Sequence, residues 1–187
     1  MTAPSGHEVR SAKTRAQLIE AAIDVIGAVG YEGASTRAIT QVAKTPLSAI
    51  PYHFGGKSEL YMAAAQMIAE YARERFGEVI HILDAPASGS ESQAFEKALL
   101  HLLHIILSNA EPHSWTSFVA RCAYENDEAF SLIHKQAIEP MLQRLVEAVT
   151  AISSGDLGIA AARLRINAVV TASFSFWFLR GVMVRGM

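Results

Sequence analysis

Cysteine is almost absent: Cys122 is the one thiol among 187 residues. That excludes an intrachain disulfide framework and a cysteine-rich zinc site, and it fits a reducing compartment. Long apolar runs are lacking too. Asn167 to Leu179 carries no charge, but it falls short of the ~20 apolar residues a spanning helix needs, and Arg180 closes it. It reads as a buried or subunit-contacting helix, so no membrane partner is expected. Met1 to Arg10 holds no apolar stretch of the kind a secretory signal carries, and the expected place of action is the cytoplasm. Excess charge of either sign is missing: 16 Lys+Arg against 18 Asp+Glu give a formal −2. There is no glycine-rich phosphate loop, HExxH-like pair or Ser-His-Asp arrangement. Neither an enzyme nor a cofactor is therefore expected.

What the chain does have is apolar surface. Hydrophobic residues make up 51% and charged ones 18%, which excludes global disorder and allows one or two cores. Apolar residues recur at helical spacing almost throughout, with no convincing alternation of period two. Leu18, Ala22, Val25 and Val29 predict a first helix over about Ser11 to Val29, stopped by Gly30 and Gly33. Ser35 or Thr36 caps a short second helix running to Lys44, with Ile39, Val42 and Ala43 inward. Thr45-Pro46 reads as the cap and first residue of a third helix ending near Phe54. A long fourth helix runs from Lys57 to about Leu83, with Leu60, Ala64, Met67 and Tyr71 inward. Ala85 to Ser90 is a loop of breakers and small residues. Helical segments follow over Glu91–Ser108, Ser114–Tyr124, Glu128–Ser153 and Asp156–Val184, the third kinked or divided at Pro140. The fold class is all-α.

Two short helices around a four-residue turn have the proportions of a helix-turn-helix, in which the second helix enters the major groove. At about 100° per residue, Leu47, Ile50 and Phe54 fall on one side of the third helix as anchors, and Thr45, Ser48, Ala49 and Tyr52 fall opposite. Short side chains around a tyrosine suit a surface that approaches DNA. His53 flanks that face, and Lys57 adds a cation beside the amides that open the fourth helix. Thr36 and Arg37 do the same on the other side. Residues 1–60 hold six Lys or Arg against five Asp or Glu, a balance of +1 that leaves −3 for the remainder. Arg10, Lys13 and Arg15 form a basic arm that could follow the backbone or reach a minor groove. The plain alternative is three core helices with solvated caps.

Ser35-Thr36-Arg37-Ala38-Ile39, Val42-Ala43 and the run Ala49-Ile50-Pro51-Tyr52-His53-Phe54-Gly55-Gly56-Lys57-Ser58-Glu59-Leu60-Tyr61 resemble the DNA-binding signature of the tetracycline-repressor (TetR) family. The resemblance covers about residues 11–61. It implies a DNA-binding domain over residues 1–56, a helical ligand-binding and dimerisation domain over 57–187, and DNA contact by Thr36, Arg37, Leu47, Ser48, Ala49, Pro51, Tyr52, His53 and Lys57. Two positions depart from the pattern. Lys44 stands where the turn usually has glycine, and Pro51 replaces a common Tyr or Thr, which predicts a short or locally irregular third helix. Phe118, Arg121, Ala129-Phe130, Ile138-Glu139-Pro140 and Leu142 to Leu145 resemble, more weakly, the CecR-like branch of the family. That implies repression of genes for drug export or tolerance.

The second region reads the same way on its own residues. Glu91–Ser108 is apolar around most of its circumference, through Phe95, Leu99, Leu102, Leu103, Ile105 and Ile106, and belongs inside a bundle. Trp115, Phe118 and Cys122 line one face of the next helix, as pocket wall or as plain core. His101 and His104 stand three apart on a stripe with Lys97 and Ser108. They are polar pocket candidates rather than metal ligands, because no carboxylate or cysteine joins them at ligand spacing. The last segment sets Ala161, Ala168, Ala172 and Ser175 beside Phe174, Phe176, Trp177 and Phe178, which predicts a homodimer interface. The sequence stops at Arg185-Gly186-Met187, earlier than family members usually do, so the expectation is either a compact member without a final pairing helix or a truncated sequence. The whole predicts a ligand-responsive regulator, released from a palindromic operator in double-stranded DNA by a small, largely apolar effector. The alternatives are a helical adaptor that binds only protein or, on less support, an all-α enzyme.

Overall fold

A computed structural model describes residues 5–84, 90–108, 112–153 and 157–184, apart from the side chains of 176–184. Every regular element among them is helical. The helices are α1 (Gly6–Gly33), α2 (Thr36–Ala43), α3 (Ala49–Phe54), α4 (Lys57–Asp84), α5 (Glu91–Leu107), α6 (His113–Glu125), α7 (Glu128–Ile133), α8 (Glu139–Ile152) and α9 (Ile159–Val184). A π-helical turn, His134–Ile138, lies between α7 and α8. The expected loop at 85–89 lies outside the described residues; Ser90 caps α5 by accepting from the Gln93 amide.

The residues form two compact units, one within Met1–Ile68 and Glu111–Ile133, the other within Ala69–Ala110 and His134–Met187. The family resemblance implies a division at 56/57. Packing instead groups residues 57–68 and 111–133 with the helix-turn-helix.

In the first unit α1 packs on α6, α2 and α3. It starts earlier than its apolar spacing suggests, because Ser5 and Glu8 form a reciprocal capping box that carries the helix back to Gly6. Arg10, Lys13 and Arg15 therefore stand exposed on a helix rather than on an extended arm. The buried stripe is Leu18, Ala22, Ile23 and Ile26, while Val29 is 53% exposed. The helix breaks at Gly30, whose φ of 80° only glycine adopts readily. The break leaves carbonyls without helical partners, and Arg121 of α6 fills the gap: its guanidinium donates to the carbonyls of Gly27 (2.9 Å) and Ala28 (2.7 Å). A Cβ on Gly27 would lie 2.6 Å from the Ser114 carbonyl oxygen, so a bare α-carbon is what lets α1 and α6 approach this closely.

In the second unit α5, α8 and α9 pack together and share a core with Phe76, Val79 and Leu83 of α4, centred on Leu102, Met141 and Leu145. Pro140 divides the segment as expected. Lacking an N–H and crowding the carbonyl four residues back, it sits at the start of α8, and the wider π turn absorbs the misfit. On α9, Ala162, Ile166 and Val170 are buried and Phe174 is half-buried.

Candidate nucleic-acid interface

Helix α2 begins at Ser35, whose hydroxyl accepts from the Ala38 amide at 3.1 Å. The Thr40 hydroxyl donates back to the Thr36 carbonyl at 3.0 Å, so this threonine can be buried. The helix ends at Lys44, which adopts the left-handed conformation, φ 54° and ψ 43°. The position that departs from the family's glycine thus keeps the geometry that glycine serves.

The third helix corrects three expectations. Thr45 is not its cap: residues 45–48 form a turn, the Ala49 amide bonds the Pro46 carbonyl at 2.9 Å, and the helix starts at Ala49. An angular reading begun at Thr45 is therefore out of phase. Leu47, expected as an anchor, is 56% exposed, and Ala49, expected to face out, is buried. Val42 of α2 is likewise exposed rather than inward. Ile50 is the residue that fastens α3, and Tyr52 projects with 73% of its surface open. Pro51 sits in the first turn, where its missing N–H has no helical partner to lose, so α3 is short without being broken. Ser48 and Pro51 are exposed and His53 is half-buried, its ring edge-on to Tyr52 at 4.8 Å. Leu47, Ser48, Pro51 and Tyr52 thus form an open surface around α3. Ala49 contributes close packing beneath it rather than contact.

Cations rim this surface. Arg37 is exposed and Thr36 half-buried at the start of α2. The Arg15 guanidinium lies over the Phe54 ring at 5.0 Å, and the Lys57 ammonium over the Tyr31 ring at 4.2 Å. Behind them is a polar cluster that sequence reasoning missed. The Tyr61 hydroxyl donates to the Asp127 carboxylate and stands 3.1 Å from the Cys122 sulfur. Since the phenolic proton goes to Asp127, the thiol is the donor of the second bond. The other Asp127 oxygen accepts from the Phe130 amide and caps α7. Burial and these bonds hold the Tyr61 hydroxyl far above the ordinary tyrosine range, and burial pushes the Cys122 thiol up to about 12. Asp127 immediately before Glu128 was a legible helix cap; its phenolic partner sixty-odd residues away was not.

The pocket candidates separate. Phe118 and Cys122 are buried in the first unit, where Phe118 packs on Tyr61 with ring centroids 5.2 Å apart, and Trp115 is half-buried there. His101 and His104 lie on α5 in the second unit. His101 bonds Glu78 at 2.8 Å and holds that carboxyl below its ordinary range, while His104 faces solvent. Among the described residues no group of three or more His, Cys, Asp or Glu could hold a metal ion. A cavity of about 240 Å³ lies elsewhere in the second unit, lined by Leu83, Asp84, Ala94, Arg144, Ala148 and Ile152, with Arg144 donating to Asp84 at 2.7 Å. None of the sequence-named pocket residues lines it.

Of the interface candidates on α9, Ala168, Ala172 and Ser175 are exposed and Phe174 is half-buried; the side chains of Trp177 and Phe178 lie outside the described residues. Leu164 and Val169 on the same helix are 72% and 44% exposed. Among the described residues no helix is long and apolar enough to cross a membrane.

Residues 18–64 match the family described as bacterial regulatory proteins, tetR family, and residues 92–187 match the C-terminal domain of the HTH-type transcriptional dual regulator CecR. The chain is 29% identical over 157 residues to the HTH-type transcriptional dual regulator CecR of Shigella flexneri, covering 79% of this chain and 70% of that protein. A transcriptional regulator from Pseudomonas aeruginosa superposes with a TM-score of 0.66 at 20% identity, over 90% of this chain and 79% of that one. A TetR-family regulator from Mesorhizobium loti gives 0.61 at 16% identity, over 90% and 96%. At such identities the structural likeness shows the fold.

Proposed function

Since this chain belongs to the TetR family, in its CecR-like branch, and is a DNA-binding transcriptional regulator rather than an enzyme, we propose that it acts in the cytoplasm as a homodimeric repressor, binding a palindromic operator and leaving it when a small, largely apolar effector binds. The observation that carries the DNA reading is α3 itself: Ile50 fastens it from beneath while Tyr52 stands 73% open above. Thr36, Arg37, Leu47, Ser48, Pro51, Tyr52, His53 and Lys57 are the contact residues of this reading, with Ala49 as the small residue that seats the helix. Tyr52 and the exposed Leu47 present polar and apolar groups suited to base edges, including thymine methyls, and Arg37 and Lys57 suit phosphates.

The pairing reading is supported by α9. It buries one stripe against its own unit and leaves Ala168, Ala172 and Ser175 open beside exposed Leu164 and Val169. Small residues permit close helix approach, and a two-fold contact is the common way to cover such a face. The effector reading is supported by the cavity that Leu83 and Asp84 help to line at the end of α4. Leu83 and Asp84 end the helix that Lys57 opens, and the proposed switch is a ligand that favours a shifted α4. By linkage, operator DNA would then weaken the ligand by the same factor.

The test is selection of bound duplex from genomic fragments, read beside sedimentation of the free protein. The expected result is a two-fold element whose half-sites lie about one helical turn apart, ~34–36 Å, and a dimer that Ala168→Glu dissociates. Retention of no duplex at low salt would overturn the reading in favour of a protein-binding adaptor.

A further inference from the structure

Lys57 carries the positive charge that opens α4, and its ammonium does not stand free: it lies 4.2 Å from the centre of the Tyr31 ring. Among the described residues it forms no ion pair with a carboxylate. We propose that Tyr31 is a positioning residue for DNA binding, an aromatic seat that fixes Lys57 beside α3 without neutralising it. The inference rests on the DNA-binding reading above and adds a residue outside the family's contact motif.

Three features make the seat. Gly30, with its positive φ, breaks α1 one residue before Tyr31 and redirects the chain there. The Tyr31 ring is held in turn, tilted against Tyr61 at 4.7 Å between centroids. Tyr61 is fixed at its far end by the bond to Asp127 and at its flank by Phe118. All of these residues belong to the first compact unit.

A ring is a different partner from a carboxylate. A carboxylate would orient the ammonium but cancel its charge, and an incoming phosphate would have to displace it. The π face attracts the cation through its quadrupole, leaves its full charge in place, and occupies only one side of a group with three donors. A lysine stem seated in advance also has less rotamer freedom to lose when it meets phosphate. Arg15 over Phe54, the last residue of α3, repeats the arrangement at 5.0 Å.

The experiment measures binding of the full chain to a mixed-sequence duplex by fluorescence anisotropy across a salt series, which reads phosphate contacts irrespective of the operator. Wild type, Tyr31→Phe, Tyr31→Leu, Lys57→Ala and the Tyr31→Leu/Lys57→Ala double variant are compared. Lys57→Ala is expected to lower the slope of log affinity against log salt by about 0.9. Tyr31→Leu should weaken binding about three- to tenfold, the range of a partly exposed cation–π contact, and lower the slope toward that of Lys57→Ala. Tyr31→Phe, which keeps the ring, should match wild type, and Tyr31→Leu should add nothing in the Lys57→Ala background. A destabilised fold would reduce the active fraction without changing the slope. Tyr31→Leu with wild-type affinity and slope, or a loss undiminished in the double variant, would overturn the proposal while Lys57→Ala still upheld DNA binding. Absence of binding by wild type would overturn both. Should Tyr31→Leu not fold, the proton spectrum of the free wild-type protein decides: the Lys57 ε-methylene protons are expected upfield under the tyrosine ring current, and unshifted protons would remove the seat.

Discussion

The same substitution at two helical glycines should move stability in opposite directions. In Gly27→Ala the new methyl group would lie 2.6 Å from the Ser114 carbonyl oxygen and 3.3 Å from the Phe118 amide nitrogen, both backbone atoms that no rotamer change can move aside. Ordinary carbon–oxygen contacts lie at ~3.3–3.6 Å, so α1 and α6 would have to part by about 0.7 Å. The two Arg121 bonds to the Gly27 and Ala28 carbonyls span the same gap and would lengthen with it. Overpacking of this kind costs ~1–3 kcal/mol, and the helix propensity gained by replacing glycine offsets ~0.5–1 kcal/mol of that. The net expectation is a loss of about 0–2.5 kcal/mol, centred near ~1 kcal/mol, which lowers the melting temperature by about 2–4 °C for a chain of this size. At Gly77, inside α4, the added Cβ meets nothing within 4 Å. Gly77→Ala should therefore raise stability by ~0.5–1 kcal/mol, or about 1–4 °C. Urea denaturation followed by circular dichroism, with thermal melts alongside, measures both. If the two compact units unfold separately, Gly27→Ala moves the transition of the first and Gly77→Ala that of the second. A Gly27→Ala variant as stable as Gly77→Ala would refute the close-approach argument.

The polar cluster behind the recognition helix gives two more expectations. Tyr61→Phe removes the proton that satisfies one Asp127 oxygen and the acceptor of the Cys122 thiol, and should cost ~1–3 kcal/mol in urea denaturation; a smaller change would mean water replaces the phenol freely. With burial holding the Cys122 thiol up to about 12 against an ordinary 9.0, the folded chain keeps a proton that the unfolded chain sheds. This contribution is intact below pH 9 and is lost as pH rises from 9 to 12. Wild type should accordingly lose more stability than Cys122→Ala between pH 8.5 and 10.5, and native protein should resist a thiol reagent at pH 8 until unfolded. At Lys44, whose φ is 54°, Lys44→Gly should stabilise by up to ~1 kcal/mol, because glycine adopts the left-handed conformation without a Cβ penalty; a lower melting point would show that the lysine stem contributes packing there.

Helix positions were largely legible because period and breakers act locally. Gly30 ended the regular part of α1, Ser35 capped α2, and Pro140 divided its segment, each through a constraint confined to a few neighbours. The residues proposed to contact DNA carry a motif whose geometry the sequence does not give. Leu47 and Ala49 exchanged roles because the turn runs through Ser48, and a phase error of one or two residues rotates a side chain to the other face. Val42 shows the same limit: apolar character alone does not bury a side chain, and small domains leave many apolar side chains open. What the sequence concealed were the partnerships across the chain, Arg121 with the α1 carbonyls, Tyr61 with Asp127, and Tyr31 under Lys57. These depend on which helices meet, and periodicity carries no information about that. The separation of His101 from Trp115 into different compact units has the same origin.

Two side chains at the start of α1 also decide what kind of DNA contact its basic residues can make. Because Ser5 and Glu8 cap each other's backbone, Arg10, Lys13 and Arg15 ride on a cylinder about 10–12 Å across with its side chains. The narrower channel of B-form DNA is about 6 Å wide and admits an extended strand but not such a cylinder. In the proposed complex, cations carried on such a helix would meet sugar and phosphate rather than the floor of that channel. Arg10 and Lys13, one turn apart, aim together, while Arg15 points well away from both. On the proposed reading, the opening helix would tighten the grip on any duplex without choosing among A·T-rich sequences, and base preference would fall to α3.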